Sequence, residues 1–478
     1  MKGLLTLSGT RLAGLILSGE ATSREILEAH LARIVEVNPV LNAVVKARFE
    51  EARAEADAAD DRLRRDGPDG LPPFHGVPCT IKECFALRGM PCTSGLRSRR
   101  DVVPPRDATA VARLRAAGAV PMGVTNVSEL CLWMESDNRL YGRTNNPYDP
   151  SRTVGGSSGG EGAVIAAGGS PFGLGSDIGG SIRMPAFFNG IFGHKPTGGL
   201  VPNTGQFPTS RNLPYRMLTT GPLARRAEDL WTLLRILAGP DGEDPSCAAA
   251  PLGDPGRVDI AGMDVCVIED NGIMDVHRDL RRALRDCAGH LGARGAKVGW
   301  TSVEGLKHSF DIWSAMLAQG EKQSMKSLMG GGRPINPLAE LVRWAAGRSD
   351  HTLPAISLAL FESVPRLMPR RVERFVEAGL DLRGRLLDLL GPGGVILYPP
   401  YVAPAPLHRR PMFPPFHWVY TGIFNAMEFP VTQVPTGLNA EGLPVGVQVV
   451  SAPGNDHVTV AVALELERAF GGWRFPGL

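Results

Sequence analysis

Between positions 155 and 193 the chain reads GGSSGGEGAVIAAGGSPFGLGSDIGGSIRMPAFFNGIFG, and no other stretch restricts the fold as strongly. Its only charged side chains are Glu161, Asp177 and Arg183. A segment so poor in charge belongs inside a molecule. Its glycines let the backbone turn sharply and approach neighbouring segments. Residues 161–168 read as a closely packed helix, SPFGLGSD (170–177) as a buried strand, and DIGGSI (177–182) as a sharp turn.

The opening GGSSGGEG admits three readings: a phosphate cradle, a linker or a loop that holds a hydroxyl. A phosphate loop of the GxxxxGK[ST] type ends on a lysine, whereas here Glu161 would repel the anion. A linker does not fit, because both flanks are structured and apolar. A held hydroxyl remains. A second glycine-flanked serine, Ser181, lies in GSDIGGSIR. Converging amides of Ile178, Gly179, Gly180 and Ser181 would form an oxyanion hole beside its hydroxyl. That combination points to acyl transfer.

A serine nucleophile needs a base. Of the ten histidines, His75 and His194 lie near strand-like segments without an obvious carboxylate partner in sequence, and no GxSxG elbow is present. A lysine serves as base where burial keeps its amine neutral. Lys82 follows the apolar run Val77–Ile81, which reads as a buried strand, and is the candidate.

The surrounding sequence predicts α/β architecture by its helix–strand alternation. Thr22 and Glu25 read as a capping box before the stripe Ile26, Leu27, Leu31, Ile34 and Val35, with Pro39 expected to stop that helix. Residues 49–65 read as a polar surface helix and 67–73 as a loop. Asp107 is expected to cap a helix that ends at Gly118, followed by a strand at 119–124. A Pro/Gly/Asp-rich stretch at 239–257 reads as a linker or exposed loop. DVCVIED, the helix from VHRDLRRALRDCAGHL, and AKVGW form a second β-α-β pattern. Residues 330–337 and the segment from 391 read as breaks. A strand (LPVGVQVVSA) and a helix (HVTVAVALELERAF) end the chain.

Composition narrows the class. The 478 residues are 43% apolar and 21% charged, ordinary values for a globular protein. Lys plus Arg number 51 against 49 Asp plus Glu, so a nucleic-acid partner is not expected. The N-terminal 26 residues lack the pattern of a signal peptide. No apolar run reaches the roughly 18 residues of a transmembrane helix, which leaves peripheral membrane contact open. The seven cysteines are scattered without a CxxC pair, which suits reduced thiols in a cytoplasm and argues against a disulfide framework or zinc site. No metal or cofactor is expected.

Residues 155–197 resemble the core of the amidase-signature hydrolases. The resemblance extends over nearly the whole chain, through EAHLARIVEVNPVLNAVV, HGVPCTIKE and GLPVGVQVVSAPGNDH. PNTGQFP, YTGIFNA and AFGGW make it most similar to the fatty-acid amide hydrolases, notably the second vertebrate type. The resemblance implies an α/β fold with a large mixed twisted β-sheet covered by helices on both faces. It implies a Ser-cis-Ser-Lys triad of Ser181 as nucleophile, Ser157 as bridge beside a cis peptide, and Lys82 as base. Ser157 is preferred to Ser158 as the bridge on this ground alone. Ser158, Ser176, Asp177 and Arg183 are expected to support the site, and Cys131 and Ser157 to touch substrate.

One catalytic domain over 1–478 is expected, with 67–238 as its catalytic core and 258–390 as an insertion that shapes the pocket. The expected partner is a small acyl amide with a hydrophobic acyl chain, and a homodimer is compatible with this reading. The Met-rich stretch 310–333, with Trp313, Met316 and Met325, fits either an adaptable apolar pocket or ordinary helix packing. Residues 411–429 fit a second wall or a loop near the site. Rival readings are a broad aryl-acylamidase, esterase or urethanase, the glutamine-hydrolysing subunit of a tRNA-dependent amidotransferase, and an inactive scaffold.

Overall fold

The computed structural model describes residues 3–209, 216–320 and 324–478. In chain order its strands are β1 (Val44–Ala47), β2 (Pro78–Lys82), β3 (Val120–Thr125), β4 (Asp137–Asn138), β5 (Gly142–Arg143), β6 (Phe172–Asp177), β7 (Phe192–Lys195), β8 (Thr219–Ala224), β9 (Asp264–Val267), β10 (Lys297–Trp300), β11 (Val395–Tyr398), β12 (Val431–Leu438) and β13 (Pro444–Val450). The helices begin with α1 (Gly9–Ser18), α2 (Ser23–Leu41), α3 (Phe49–Asp66), α4 (Thr109–Ala116), α5 (Gly159–Ala166), α6 (Arg183–Phe188), α7 (Glu228–Leu237) and α8 (Arg278–Ala293). They continue with α9 (Ser309–Ala318), α10 (Met325–Met329), α11 (Pro337–Ala345), α12 (Leu353–Phe361), α13 (Pro369–Leu390), α14 (Val419–Ala426) and α15 (Asp456–Phe470).

One 11-stranded mixed sheet organises the molecule, in the order β1-β3-β2-β6-β8-β7-β12-β13-β11-β9-β10. β2 runs parallel to both β3 and β6, with Thr80 opposite Gly173 and Ile81 opposite Leu174. β9 pairs in parallel with both β10 and β11, and the β9-α8-β10 unit is the second β-α-β pattern of the sequence. β2, β3, β6, β7, β8, β11 and β13 are buried along their whole length. Such strands read as continuous apolar or small-residue runs because helices flank the sheet.

The expected capping box is present: Thr22 and Glu25 each accept or donate across the start of α2. Three local expectations fail. Pro39 does not stop α2, which runs on to Leu41 and ends on Asn42 in the left-handed region. Proline lacks an N–H and its ring crowds the carbonyl four residues back, but Pro39 lies in the last turn, which closes after it through the Asn42 amide to the Asn38 carbonyl at 2.7 Å. Asp107 does not cap α4; its carboxylate accepts from the Arg88 amide and from Arg115 instead. Val35, placed in the apolar stripe, is 63% exposed.

The segment from 391 is more than a break. Within it, Val395–Tyr398 forms β11, an interior strand that joins β13 to β9. Four apolar residues between GPGG and PP are too few to show a period, so the flanking breakers dominate the sequence signal. The segment 258–390 likewise adds β9 and β10 to the same sheet.

Candidate active site

Two parallel strands place their C-terminal ends side by side, β2 ending on Lys82 and β6 carrying Ser176 and Asp177. Lys82 is fully buried, and its Nζ donates to Ser157 Oγ (2.8 Å), Ser176 Oγ (2.9 Å) and the Ser176 carbonyl (3.4 Å). Ser158 is nearby, its Oγ donating to the Ser176 carbonyl at 3.4 Å.

The Gly156–Ser157 peptide is cis. A Cβ on Gly156 would lie 2.3 Å from the Trp133 carbonyl, so only glycine lets this loop pass so near its neighbour. Ser136 clamps the loop, donating to the carbonyls of Gly155 (3.2 Å) and Ser157 (3.3 Å) and accepting from the Gly159 amide (2.9 Å). The Ser158 amide donates to the Ser181 carbonyl at 3.2 Å and thereby ties the first serine loop to the second.

The second loop turns from β6 into α6. Asp177 fixes it by accepting from the amides of Gly180 (2.6 Å) and Ile182 (3.1 Å). Arg183 binds the same carboxylate through two nitrogens, each at 3.0 Å, and both side chains are completely buried. Burial alone would raise the Asp177 pKa, but the adjacent Arg183 charge and its hydrogen bonds hold the carboxyl well below the usual range. The Gly180 amide is thus engaged inward, which leaves Ile178, Gly179 and Ser181 as candidate oxyanion donors. A Cβ on Gly180, at φ +122°, would lie 2.0 Å from Thr421 Oγ1.

The loop is also held from outside the motif. Trp313 on α9 donates its indole N–H to the Ile178 carbonyl at 2.8 Å. Thr421 on α14 donates to the Gly179 carbonyl at 2.8 Å, and Asn425 donates to the Asp177 carbonyl at 3.0 Å. Arg183 reaches onward to the Thr421 carbonyl (2.8 Å), Gln448 (3.0 Å) and Asn425 (2.5 Å). Within the stretch 411–429, Thr421 and Asn425 therefore back this turn. These two, with Gln448, escape sequence reasoning because they lie more than 230 residues from Arg183 and follow no spacing rule.

Glu161 had only a negative role in the sequence, as an acid that repels phosphate. In the fold it is fully buried and accepts from Thr80 Oγ1 (2.7 Å) and Thr125 Oγ1 (2.8 Å), bracing β2 and β3 beside Lys82. Burial pushes its carboxyl up to about 8 against the pull of those hydroxyls. Cys131 is buried and in the left-handed region at φ 57°. Hydrogen bonding with Cys84 draws its thiol down to about 6 against the effect of burial.

The two histidines considered as bases point elsewhere. His75 bonds the Ala59 carbonyl, and His194 sits between Thr432 and Asp456. Met316 packs in the apolar core beside Gly379, and Met325 lies against the Leu96–Leu130–Ile356 cluster, so ordinary helix packing accounts for both. Residues 321–323 of the Met-rich stretch lie outside the described residues.

The family model described as Amidase matches residues 25–460. Human fatty-acid amide hydrolase 2 is 46% identical over 490 aligned positions, covering 99% of this chain and 91% of that protein. Among solved structures, 6-aminohexanoate cyclic dimer hydrolase superposes with a TM-score of 0.84 at 27% identity, covering 99% of each chain. Fatty acid amide hydrolase superposes at 0.79 and 22% identity, over 98% of this chain and 86% of that one, a likeness of fold. Extent of match, shared fold and the arrangement of the two serine loops agree that this chain belongs to the amidase-signature family and is an amide hydrolase.

Proposed function

We propose that this amidase works through Ser181, Ser157 and Lys82. The observation that carries the reading is the 2.8 Å contact of Lys82 Nζ with Ser157 Oγ, on a loop bonded directly to Ser181. With its amine unprotonated, Lys82 takes the Ser157 proton while Ser157 takes that of Ser181, and Ser181 Oγ attacks the acyl carbonyl. The tetrahedral oxyanion rests on the amides of Ile178, Gly179 and Ser181. The proton returns from Lys82 through Ser157 to the leaving nitrogen, the C–N bond breaks, and an ester to Ser181 remains. Water then cleaves that ester by the same relay. An amine leaves poorly unless protonated, so the return step is what amide cleavage needs most.

The substrate we infer is an amide with a hydrophobic acyl chain. The 46% identity to a fatty-acid amide hydrolase supports it. So does the row of rings beside Gly179, where Trp418 packs edge-on against Trp313 at 4.6 Å and Phe310 lies 6.3 Å from Trp418. Because β9 and β10 belong to the common sheet, we also infer that the chain acts as one catalytic unit. Among the described residues no helix is long and apolar enough to cross a membrane.

The test is hydrolysis of acyl p-nitroanilides from acetyl to long-chain, with Ser181→Ala as control. Rates should climb with chain length and vanish in the variant. A maximum at short chains would move the substrate to small aryl amides, and undiminished turnover in Ser181→Ala would overturn the mechanism.

A further inference from the structure

Three successive carbonyls of the 177–180 turn accept hydrogen bonds from side chains far away in sequence. Asn425 and Thr219 donate to Asp177, Trp313 to Ile178, and Thr421 to Gly179. In a trans peptide the carbonyl and the amide N–H of the next residue point in opposite directions. Pinning each carbonyl therefore aims the following amide. Asn425 sets the direction of the Ile178 amide, Trp313 that of Gly179, and Thr421 that of Gly180, which runs inward to Asp177 at 2.6 Å.

The anchors from α9 and α14 differ in kind. Thr421 and Asn425 are fully buried on α14 and bound into the Arg183 network. Trp313 is only partly buried and comes from α9, in the segment 258–390. Its indole has one N–H, and that N–H is spent on the Ile178 carbonyl. The same ring packs against Trp418, whose edge would lie 3.2 Å from a Cβ at Gly179. Glycine at 179 places no Cβ of its own on this peptide, and its backbone is the most pliable available. The 178–179 peptide thus depends on an external anchor for its orientation.

We propose that Trp313 is a positioning residue for the reaction: its indole N–H holds the 178–179 peptide so that the Gly179 amide faces the developing oxyanion. This rests on Ser181 as nucleophile. It gives α9 a share in catalysis through a single hydrogen bond, separate from any contact its ring makes with substrate.

Trp313→Phe removes the N–H and keeps an aromatic ring against Trp418. Trp313→His returns an N–H to the same reach, since His Nε2 stands two bonds from Cγ as the indole nitrogen does. Loss of an oxyanion donor itself lowers kcat about 10²–10³-fold, and misdirecting one should cost less, about tenfold. The expected result for Trp313→Phe is a kcat per active site about tenfold below wild type with KM within about twofold. Affinity for an alkyl boronic acid, which forms a tetrahedral adduct on Ser181, should fall by the factor seen in kcat/KM. Trp313→His should recover part of both. Active sites are counted by fluorophosphonate labelling of Ser181, so poorly folded protein does not enter the comparison.

Equal kcat values in the two variants, or an unchanged boronic acid affinity beside a fallen kcat, overturn the inference. If the Phe variant does not fold, a His variant with kcat below one-tenth of wild type overturns it too. Wild-type protein that fails to label at Ser181 overturns the proposed mechanism itself, a result distinct from labelled wild type beside an unaffected variant.

Discussion

Lys82 sits between its proposed relay partner, Ser157, and groups that only hold it in place. Ser157 and Ser176 accept from its Nζ, while Glu161 and its two threonine donors brace the strands next to it. Lys82→Ala and Ser157→Ala should each lose most turnover, at least about 100-fold in kcat, because each breaks the proposed relay between nucleophile and leaving group. Steady-state kinetics on an acyl anilide checks this. Glu161 supports a pH prediction. Burial raises its folded value to about 8, above the roughly 4.3 of an unfolded chain. Between those values the folded protein binds more protons than the unfolded one, so stability falls as pH rises through that window. Glu161→Gln removes this contribution. Its melting temperature should decline less from pH 5 to pH 8 than that of wild type, as followed by circular dichroism. Glu83, which burial raises to about 7, keeps a shallower slope of the same sign in both proteins.

The decisive element is the turn between β6 and α6. It has no regular hydrogen bonding of its own, so Asp177 supplies acceptors for its amides and Arg183 neutralises Asp177. Removing one member of a buried pair leaves the other charged and unpaired, which costs about 3–5 kcal/mol. Arg183→Met should therefore lower the thermal midpoint strongly and lose activity as a consequence, visible in calorimetry. Gly180→Ala tests the turn from another side. Its Cβ would collide with Thr421 Oγ1 at a backbone angle of φ +122° that side chains rarely adopt. The clash would displace the flanking Gly179 amide and Ser181 together, so turnover should fall by about 100-fold or more. Refolding around a shifted Thr421 with normal turnover would count against the role given to this turn.

Across the whole molecule, the 11-stranded sheet joins chain segments from both sides of the Pro/Gly/Asp-rich stretch at 239–257. β9 and β10 follow that stretch, yet they are fastened through β11 to β13, and β12 lies against β7 from before it. Limited proteolysis within 239–257 should give two fragments that co-elute on size exclusion in native buffer and retain turnover. In denaturant they should separate. Fragments that part in native buffer would contradict the tight joining of the sheet.

Much of this was written locally in the sequence. The glycine-flanked serines, the apolar run before Lys82, the capping box of α2 and the β9-α8-β10 unit all depend on neighbours within a few residues, and each is found where the sequence puts it. Other features could not be read this way. The four residues of β11 are too short to show a period, and β8 reads TTGPLA, with no alternation to mark it. Pro39 and Asp107 carry ordinary stop and cap signals, which a closing Asn42 amide and a competing Arg115 override. The resemblance to a known family singled out Ser157 over Ser158, which the residues alone left undecided.

Local sequence carries the signals for hydroxyls and an amine in segments that must be buried, with glycines where the backbone has to turn. What holds these groups in place emerges in three dimensions. Trp313, Thr421, Asn425 and Gln448 reach the 177–183 turn from α9, α14 and β13, at separations from 135 to 265 residues. A hydrogen bond depends on distance and angle in space. Along the chain it leaves no periodicity, so these partners become visible only once the sheet has brought its two halves together.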